Sequence, residues 1–124
     1  MLLLYLAATL AVAIGVAHSF LGERYVIQRL GRLENLPRLT LGGRESMLPV
    51  LRFAWHITTM AWIGFAAILW LMAHRRLSHE SAGAAISATF LVSAAVSGIS
   101  SRGRHYSWIV FLAIGVIALW QVVG

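Results

Sequence analysis

Four long apolar runs dominate this chain and limit what it can fold into. A helix needs about 20 predominantly apolar residues to cross a hydrocarbon core of about 30 Å. The stretches that meet this requirement are residues 1–22, 53–73, 81–100 and 106–124. They show no strict alternation of apolar and polar residues and are too long for barrel strands, so each is expected to be a helix. The sequence therefore predicts an all-α bundle of four transmembrane helices that forms a single integral membrane domain over residues 1–124.

The composition argues against a soluble enzyme. Hydrophobic residues make up 60% of the chain and charged residues 11%, whereas soluble domains carry about 25% charged residues. Because cysteine is absent, disulfides, thiolate zinc sites and cysteine nucleophiles are excluded. Aspartate is also absent, so no Ser/His/Asp triad can form, and no glycine-rich phosphate loop occurs. The sequence thus favours a non-enzymatic role and names no substrate.

The distribution of arginine predicts an orientation. Ten arginines and four glutamates give the chain a net charge of +6. Eight arginines lie between the first and second runs or between the third and fourth: Arg24, Arg29, Arg32, Arg38, Arg44, Arg52, Arg102 and Arg104. Since basic residues are enriched in cytoplasmic loops, both termini are expected outside the cytoplasm, in a bacterial inner membrane. Anionic lipid headgroups, and not nucleic acid, are the expected partner of these arginines. A cleavable signal is the competing interpretation of residues 1–17, but its basic n-region is missing, so we expect a retained helix.

The connection of residues 24–48 has an amphipathic pattern. Its apolar side chains on one helical face are Val26, Ile27, Leu30 and Leu33. Gln28, Arg29 and Arg32 turn away from that face, which is typical of a segment lying in the membrane interface. A docking surface for an acidic soluble partner is the alternative. Pro49 is expected in the first turn of the following helix, where a missing backbone N–H costs little.

The third run contains a ladder of small residues. Its members at a spacing of four are Ser81, Ala85, Thr89, Ser93, Ser97 and Ser101, and Gly98 lies alongside. Small side chains let helix backbones approach closely, so this helix is expected in the middle of the bundle. We also expect it to pack the chain against itself, as a homo-oligomer, or against a larger membrane complex. A hydrophilic pore lining is the alternative, although such hydroxyls often bond to their own i−4 carbonyls.

Two histidines lie inside the predicted spans, where ionisable residues are costly and are candidates for function. His18 precedes Arg24 by six residues and His56 follows Arg52 by four, which places them about 9 Å and about 6 Å from the same edge. The two imidazoles therefore share a depth on consecutive antiparallel helices and could meet.

The residues at this edge suggest two kinds of site. In the first hypothesis, His18 and His56, with His105 or Glu23, bind a divalent metal or haem b for redox chemistry or metal handling. In the second, they form a polar clamp in which each histidine bonds a hydroxyl, a carbonyl or Glu23, while Arg52 pairs with Glu23. Proton or quinone handling, and a membrane enzyme with His18 as base, are further alternatives.

Two short stretches support a family resemblance. The stretch His18-Ser19-Phe20-Leu21-Gly22-Glu23-Arg24 and the stretch Arg52-Phe53-Ala54-Trp55-His56 resemble patterns in small uncharacterised bacterial integral membrane proteins of about this length. The resemblance covers mainly the first helix and the start of the second. It implies a four-helix membrane fold and leaves the activity open.

Overall fold

The computed structural model describes residues 1–34 and 44–124, and within them every regular element is a helix. The four helices are α1 (Leu2–Leu30), α2 (Arg44–Ala73), α3 (His79–Ser100) and α4 (Ser107–Val123). Three of them, α1, α2 and α3, are long and apolar enough to span a membrane, while α4 is apolar but has 17 residues. That length is the lower end of the range of about 17–25 residues that spans use. The prediction of an all-α fold is confirmed for the described residues.

The predicted spans correspond closely to α3 and α4, whereas α1 and α2 extend beyond the spans predicted at residues 1–22 and 53–73. The first helix continues past residue 22 to Leu30, and the second is helical from Arg44, well before residue 53. Apolarity marks the part of a helix that suits the hydrocarbon core, and a helix can continue into the polar interface. Pro49 consequently lies inside α2 and not in its first turn. Residues 35–43 of the predicted interfacial segment lie outside the described residues.

Each described helix packs mainly against its neighbours in the chain. The pairs in contact are α1 with α2, α2 with α3, and α3 with α4, and α1 makes no substantial contact with α4. The connections of residues 74–78 and 101–106 are short, so α3 runs antiparallel to α2 and α4. The helix α1 is antiparallel to α2, since Gly15 lies by Thr59 and Glu23 by Arg52. The described helices therefore form an up-and-down row with α1 and α4 at its two edges. As expected, α3 lies between two other helices.

The small-residue ladder of α3 packs inside the chain. A Cβ on Gly64 of α2 would come within 2.9 Å of the Thr89 methyl carbon, so α2 and α3 approach closely there. Thr89 and Ser93 donate to the carbonyls four residues earlier, those of Ala85 and Thr89, as the packing interpretation expects. Ser97 is fully buried, and Gly98 lies against Trp108 of α4. These ladder positions thus serve the packing of α3 against α2 and α4.

The two ends of the ladder have other roles. Ser81 and Ser78 form a capping box at the start of α3: the Ser78 hydroxyl accepts from the Ser81 N–H at 3.1 Å, and the Ser81 hydroxyl accepts from the Ser78 N–H at 2.8 Å. At the other end, the Ser101 hydroxyl donates to the Ser97 carbonyl and closes the last turn. The residues spaced four apart therefore include both positions that pack against neighbouring helices and positions that cap or close the ends of α3.

Ser87 lies outside the ladder, and sequence reasoning missed it. Its side chain is buried, and its hydroxyl donates to the Gly115 carbonyl of α4 at 2.8 Å. Gly115 is the buried residue of α4, and a Cβ there would lie 2.8 Å from Leu91 Cγ, so α3 and α4 approach closely at this point. This hydrogen bond joins two helices directly, unlike the bonds that Thr89 and Ser93 make within α3.

We expect Ser87→Ala to lower the free energy of unfolding by about 1 kcal/mol, because it removes a buried interhelical hydrogen bond. Ser93→Ala is the matched control: Ser93 is also buried, but its hydroxyl bonds within its own helix. Because such a bond within one helix adds little and alanine has the higher helix propensity, the control should change the stability by less than about 0.5 kcal/mol. Thermal unfolding of the purified variants in detergent measures both values. Equal losses in the two variants would contradict a special role for the Ser87–Gly115 bond.

Candidate site between α1 and α2

A π-helical turn in α1 shapes the surface that faces α2. Gly15, Gly22 and Ile27 are buried along α1, and Gly22–Ile27 is π-helical. Gly15 and Gly22 are seven residues apart, which is about two α-helical turns. Gly22 and Ile27 are five residues apart, a spacing that departs from the α-helical period and suits i→i+5 hydrogen bonding. The π turn thus keeps Ile27 on the buried side of α1. Such turns are rare and are often found at functional sites.

Gly22 provides the surface on which Trp55 of α2 packs. A Cβ at Gly22 would collide with the Trp55 indole, whose Cζ2 would lie only 2.7 Å from it. The indole Nε1 donates to the carbonyl of His18 at 3.0 Å, one turn earlier in α1. A glycine at position 22 is therefore required for the indole to reach the α1 backbone.

Glu23 connects two basic side chains of α2. The Arg52 Nε donates to Glu23 Oε2 at 3.0 Å, and His56 Nε2 lies 3.5 Å from the same oxygen. The exposed fractions are 40% for the Arg52 side chain and 28% for that of Glu23, so the pair is only partly shielded from solvent. The ion pair is the one that the polar-clamp hypothesis expects.

A chain of hydrogen bonds continues from His56 into the interface. His56 Nδ1 bonds to Ser19 Oγ at 2.9 Å, and Ser19 Oγ bonds to Thr59 Oγ1 at 2.8 Å. Thr59 is buried, and its hydroxyl also donates to the Gly15 carbonyl at 3.2 Å. The network thus runs from Glu23 to a backbone carbonyl and crosses between α1 and α2 several times. It ends on the Gly15 carbonyl, which can accept a hydrogen bond but cannot pass a proton on.

The His18 ring has a different environment. It stacks on Trp55 with ring centroids 4.6 Å apart and an angle of 7° between the planes, and its centroid lies 5.0 Å from that of Trp62. Its Nε2 is buried without a hydrogen-bond partner among the described residues. His18 and His56 therefore share a level on neighbouring helices, as predicted, but each ring makes its contacts with a different set of residues.

His105 belongs to the connection between α3 and α4. Its Nδ1 bonds to Ser107 Oγ at 2.9 Å, and its ring centroid lies 5.0 Å from that of Phe53 on α2. Among the side chains that the structure describes, those of residues 1–34 and 47–124, no group of three or more His, Asp or Glu is placed to bind a metal ion. The structure brings Glu23, Arg52 and His56 together and leaves His18 and His105 in separate surroundings.

No known protein family, curated protein or solved structure matches this chain, so the site is interpreted from its geometry. Sequence reasoning missed three of its residues: Ser19, Trp55 and Thr59. Ser19 and Trp55 are sequence neighbours of His18 and His56, and Thr59 lies about one turn after His56. Their proximity in sequence to the two histidines was the available signal, but it does not show which of these side chains point into the α1–α2 interface. Chemically, the arrangement fixes α1 on α2 through an ion pair and hydroxyl bonds.

Proposed function

We propose that the chain is a small multi-pass protein of the bacterial inner membrane with a non-enzymatic, accessory or structural role, which associates with itself or with a larger membrane complex. The observation that carries this proposal is the open row of helices: α1 and α4 each pack against a single neighbour. Helices associate in lipid through close packing and hydrogen bonds. The two edge helices therefore keep surfaces on which another helix can pack.

The polar residues between α1 and α2 support a structural role. Glu23 binds Arg52 and His56, and the hydroxyls of Ser19 and Thr59 complete the network. These groups bond to one another across a helix interface. The ladder of α3 likewise packs within the chain, so association through α1 and α4 replaces the association through α3 that the sequence favoured.

The proposed orientation has the arginine-rich end in the cytoplasm and both termini outside. In the antiparallel row, the end of α1, the start of α2 and the α3–α4 connection lie at the same end. Exposed arginines there include Arg24, Arg29, Arg102 and Arg104. They suit anionic headgroups of the cytoplasmic leaflet. The helix α1 continues to Leu30 with exposed Arg24 and Arg29 along it, which supports a continuation of α1 into the interface.

Single cysteines test the association, because the natural chain has none. The test variants are Leu6→Cys on α1 and Ile117→Cys on α4, where the natural residues are 53% and 63% exposed. The buried control is Ala94→Cys, where the natural residue is 6% exposed. After oxidation of native membranes, an edge cysteine should form a disulfide-linked dimer or a disulfide adduct with a larger membrane protein, while the Ala94→Cys chain should not. A strictly monomeric chain that forms no adduct and co-purifies with no membrane protein would contradict the proposal.

A second candidate function is metal or haem binding at His18 and His56, for redox chemistry or metal handling. The observation that favours it is the buried His18 Nε2, which has no partner among the described residues and which a ligand would satisfy. Elemental analysis and the absorption spectrum of the wild type and of His18→Ala test this function. Bound metal or a Soret band that His18→Ala abolishes would support it, and their absence from the wild type would contradict it.

A further inference from the structure

An apolar groove lies between α1 and α2, toward the end opposite the Glu23 network. Its volume is about 510 Å³, and the side chains that line it include Ala8, Val12 and Ala13 of α1 and Ile63, Ala67 and Trp70 of α2. Ligand pockets in proteins have volumes of about 300–1,000 Å³ and predominantly apolar walls. The hydroxyl of Thr9, which also lines the groove, donates to the Tyr5 carbonyl of its own helix. The groove therefore suits an apolar ligand.

The position of the groove matches one leaflet of a bilayer. Its lining residues run from Ala8 to Ala13 on α1 and from Ile63 to Trp70 on α2. At 1.5 Å per residue the longer of these stretches is about 10 Å, which fits within half of a hydrocarbon core of about 30 Å. A partner helix would cross both leaflets, whereas an acyl chain of one lipid occupies a single leaflet. The length of the groove thus favours an acyl chain.

Aromatic and basic residues lie at the outer end of the groove. Tyr5, Trp70 and His74 form a cluster, with centroids 5.3 Å apart for Tyr5–Trp70 and 5.1 Å for Tyr5–His74. Such residues mark the headgroup level of a membrane. Arg75 and Arg76 follow directly and are exposed. Their positive charge complements a phosphate, which arginine binds with paired hydrogen bonds.

We propose that this groove is a binding site for one anionic phospholipid. One acyl chain lies between α1 and α2, beside Val12 and Ala67, and the phosphate pairs with Arg75 and Arg76 at the aromatic cluster. The site lies in the leaflet at the α1 N-terminal end, so it is separate from the arginine-rich end described above. It does not depend on whether the chain assembles with itself or with a complex.

Native mass spectrometry of the detergent-solubilised chain tests the site. The probes are phosphatidylglycerol and phosphatidylcholine with identical acyl chains. We expect one phosphatidylglycerol to be retained per chain in preference to phosphatidylcholine. Ala67→Phe fills the groove and should weaken this binding about tenfold or more, which corresponds to about 1.4 kcal/mol. Arg75→Gln with Arg76→Gln should abolish the preference for phosphatidylglycerol and leave equal, weaker binding of both lipids.

Two control variants separate the site from general effects. Ala88→Phe adds the same ring on an exposed part of α3, and Arg102→Gln with Arg104→Gln removes two charges at the opposite end. Both should keep the preference. If Ala67→Phe fails to fold, judged by elution and circular dichroism, Ala13→Phe fills the same groove from α1. Equal retention of the two lipids by the wild type, or phosphatidylglycerol binding that a folded groove-filling variant leaves unchanged, would overturn the proposal. So would a dimer that such a variant dissociates, since a second copy would then occupy the groove.

Discussion

Replacing Gly22 with alanine is expected to destabilise the α1–α2 pair by about 1–3 kcal/mol, the usual cost of adding a methyl group to a well-packed interface. The new Cβ would occupy the space of the Trp55 indole, so the indole must move away from α1. This movement would also break the 3.0 Å bond from Trp55 Nε1 to the His18 carbonyl and disturb the stacking of His18 on Trp55. Thermal unfolding in detergent gives the loss of stability, and a shift in tryptophan emission reports the displaced indole.

Gly15→Ala is the matched control for this experiment. Gly15 lies on the same side of α1, but a Cβ there would be 3.4 Å from the nearest heavy atom, the Thr59 methyl carbon. Because alanine also favours the helix by about 0.5–1 kcal/mol relative to glycine, the control should be neutral or stabilising. A Gly22→Ala chain as stable as the wild type would show that Trp55 does not pack on Gly22.

Replacing Glu23 with glutamine is expected to cost about 1–2 kcal/mol of stability, in the lower part of the range for hydrogen bonds to charged groups because the pair is partly exposed. The substitution leaves Arg52 without its carboxylate and removes the negative charge next to His56. In a double-mutant cycle with Arg52→Gln, the coupling energy should be about 0.5–1 kcal/mol. Thermal unfolding of the four chains measures these values.

Glu80→Gln is the control for the charge itself. Glu80 is an exposed carboxylate at the start of α3, and its side chain accepts only a 3.3 Å bond from the Ser78 hydroxyl among the described residues. Its removal should cost less than about 1 kcal/mol. A coupling energy of zero between Glu23 and Arg52 would mean that the ion pair does not hold α1 against α2.

The sequence predicts the helical fold well because apolar runs report directly which segments suit lipid. Residues 81–100 and 106–124 correspond closely to α3 and α4. The ends of α1 and α2 could not be predicted in this way, since both helices extend into polar sequence. The π turn at Gly22–Ile27 could not be predicted either. Its buried residues, Gly22 and Ile27, are five positions apart, which is not an α-helical spacing, and their burial on one side of α1 is evident only when α2 is packed against them.

The sequence predicted the level at which the site residues lie along the helices but not the direction in which their side chains point. Counting residues places His18 and His56 at one level, yet it cannot show toward which side of α1 or α2 each ring turns. The structure turns His18 toward Trp55 and Trp62 and turns His56 toward Ser19 and Glu23. The Glu23–Arg52 pair was accessible to sequence reasoning because the two opposite charges lie at the same predicted membrane edge, at the end of one span and the start of the next.

The most direct test of this account is the labelling of single cysteines from outside intact cells with a membrane-impermeant maleimide. The informative positions are Arg32→Cys and Arg102→Cys at the arginine-rich end, and Arg76→Cys and Gly124→Cys at the other end. We predict that the second pair reacts in intact cells and that the first pair reacts only after the membrane is permeabilised. Reaction of all four cysteines from the same side, or labelling of Arg32→Cys in intact cells, would contradict a four-span chain whose arginine-rich end faces the cytoplasm.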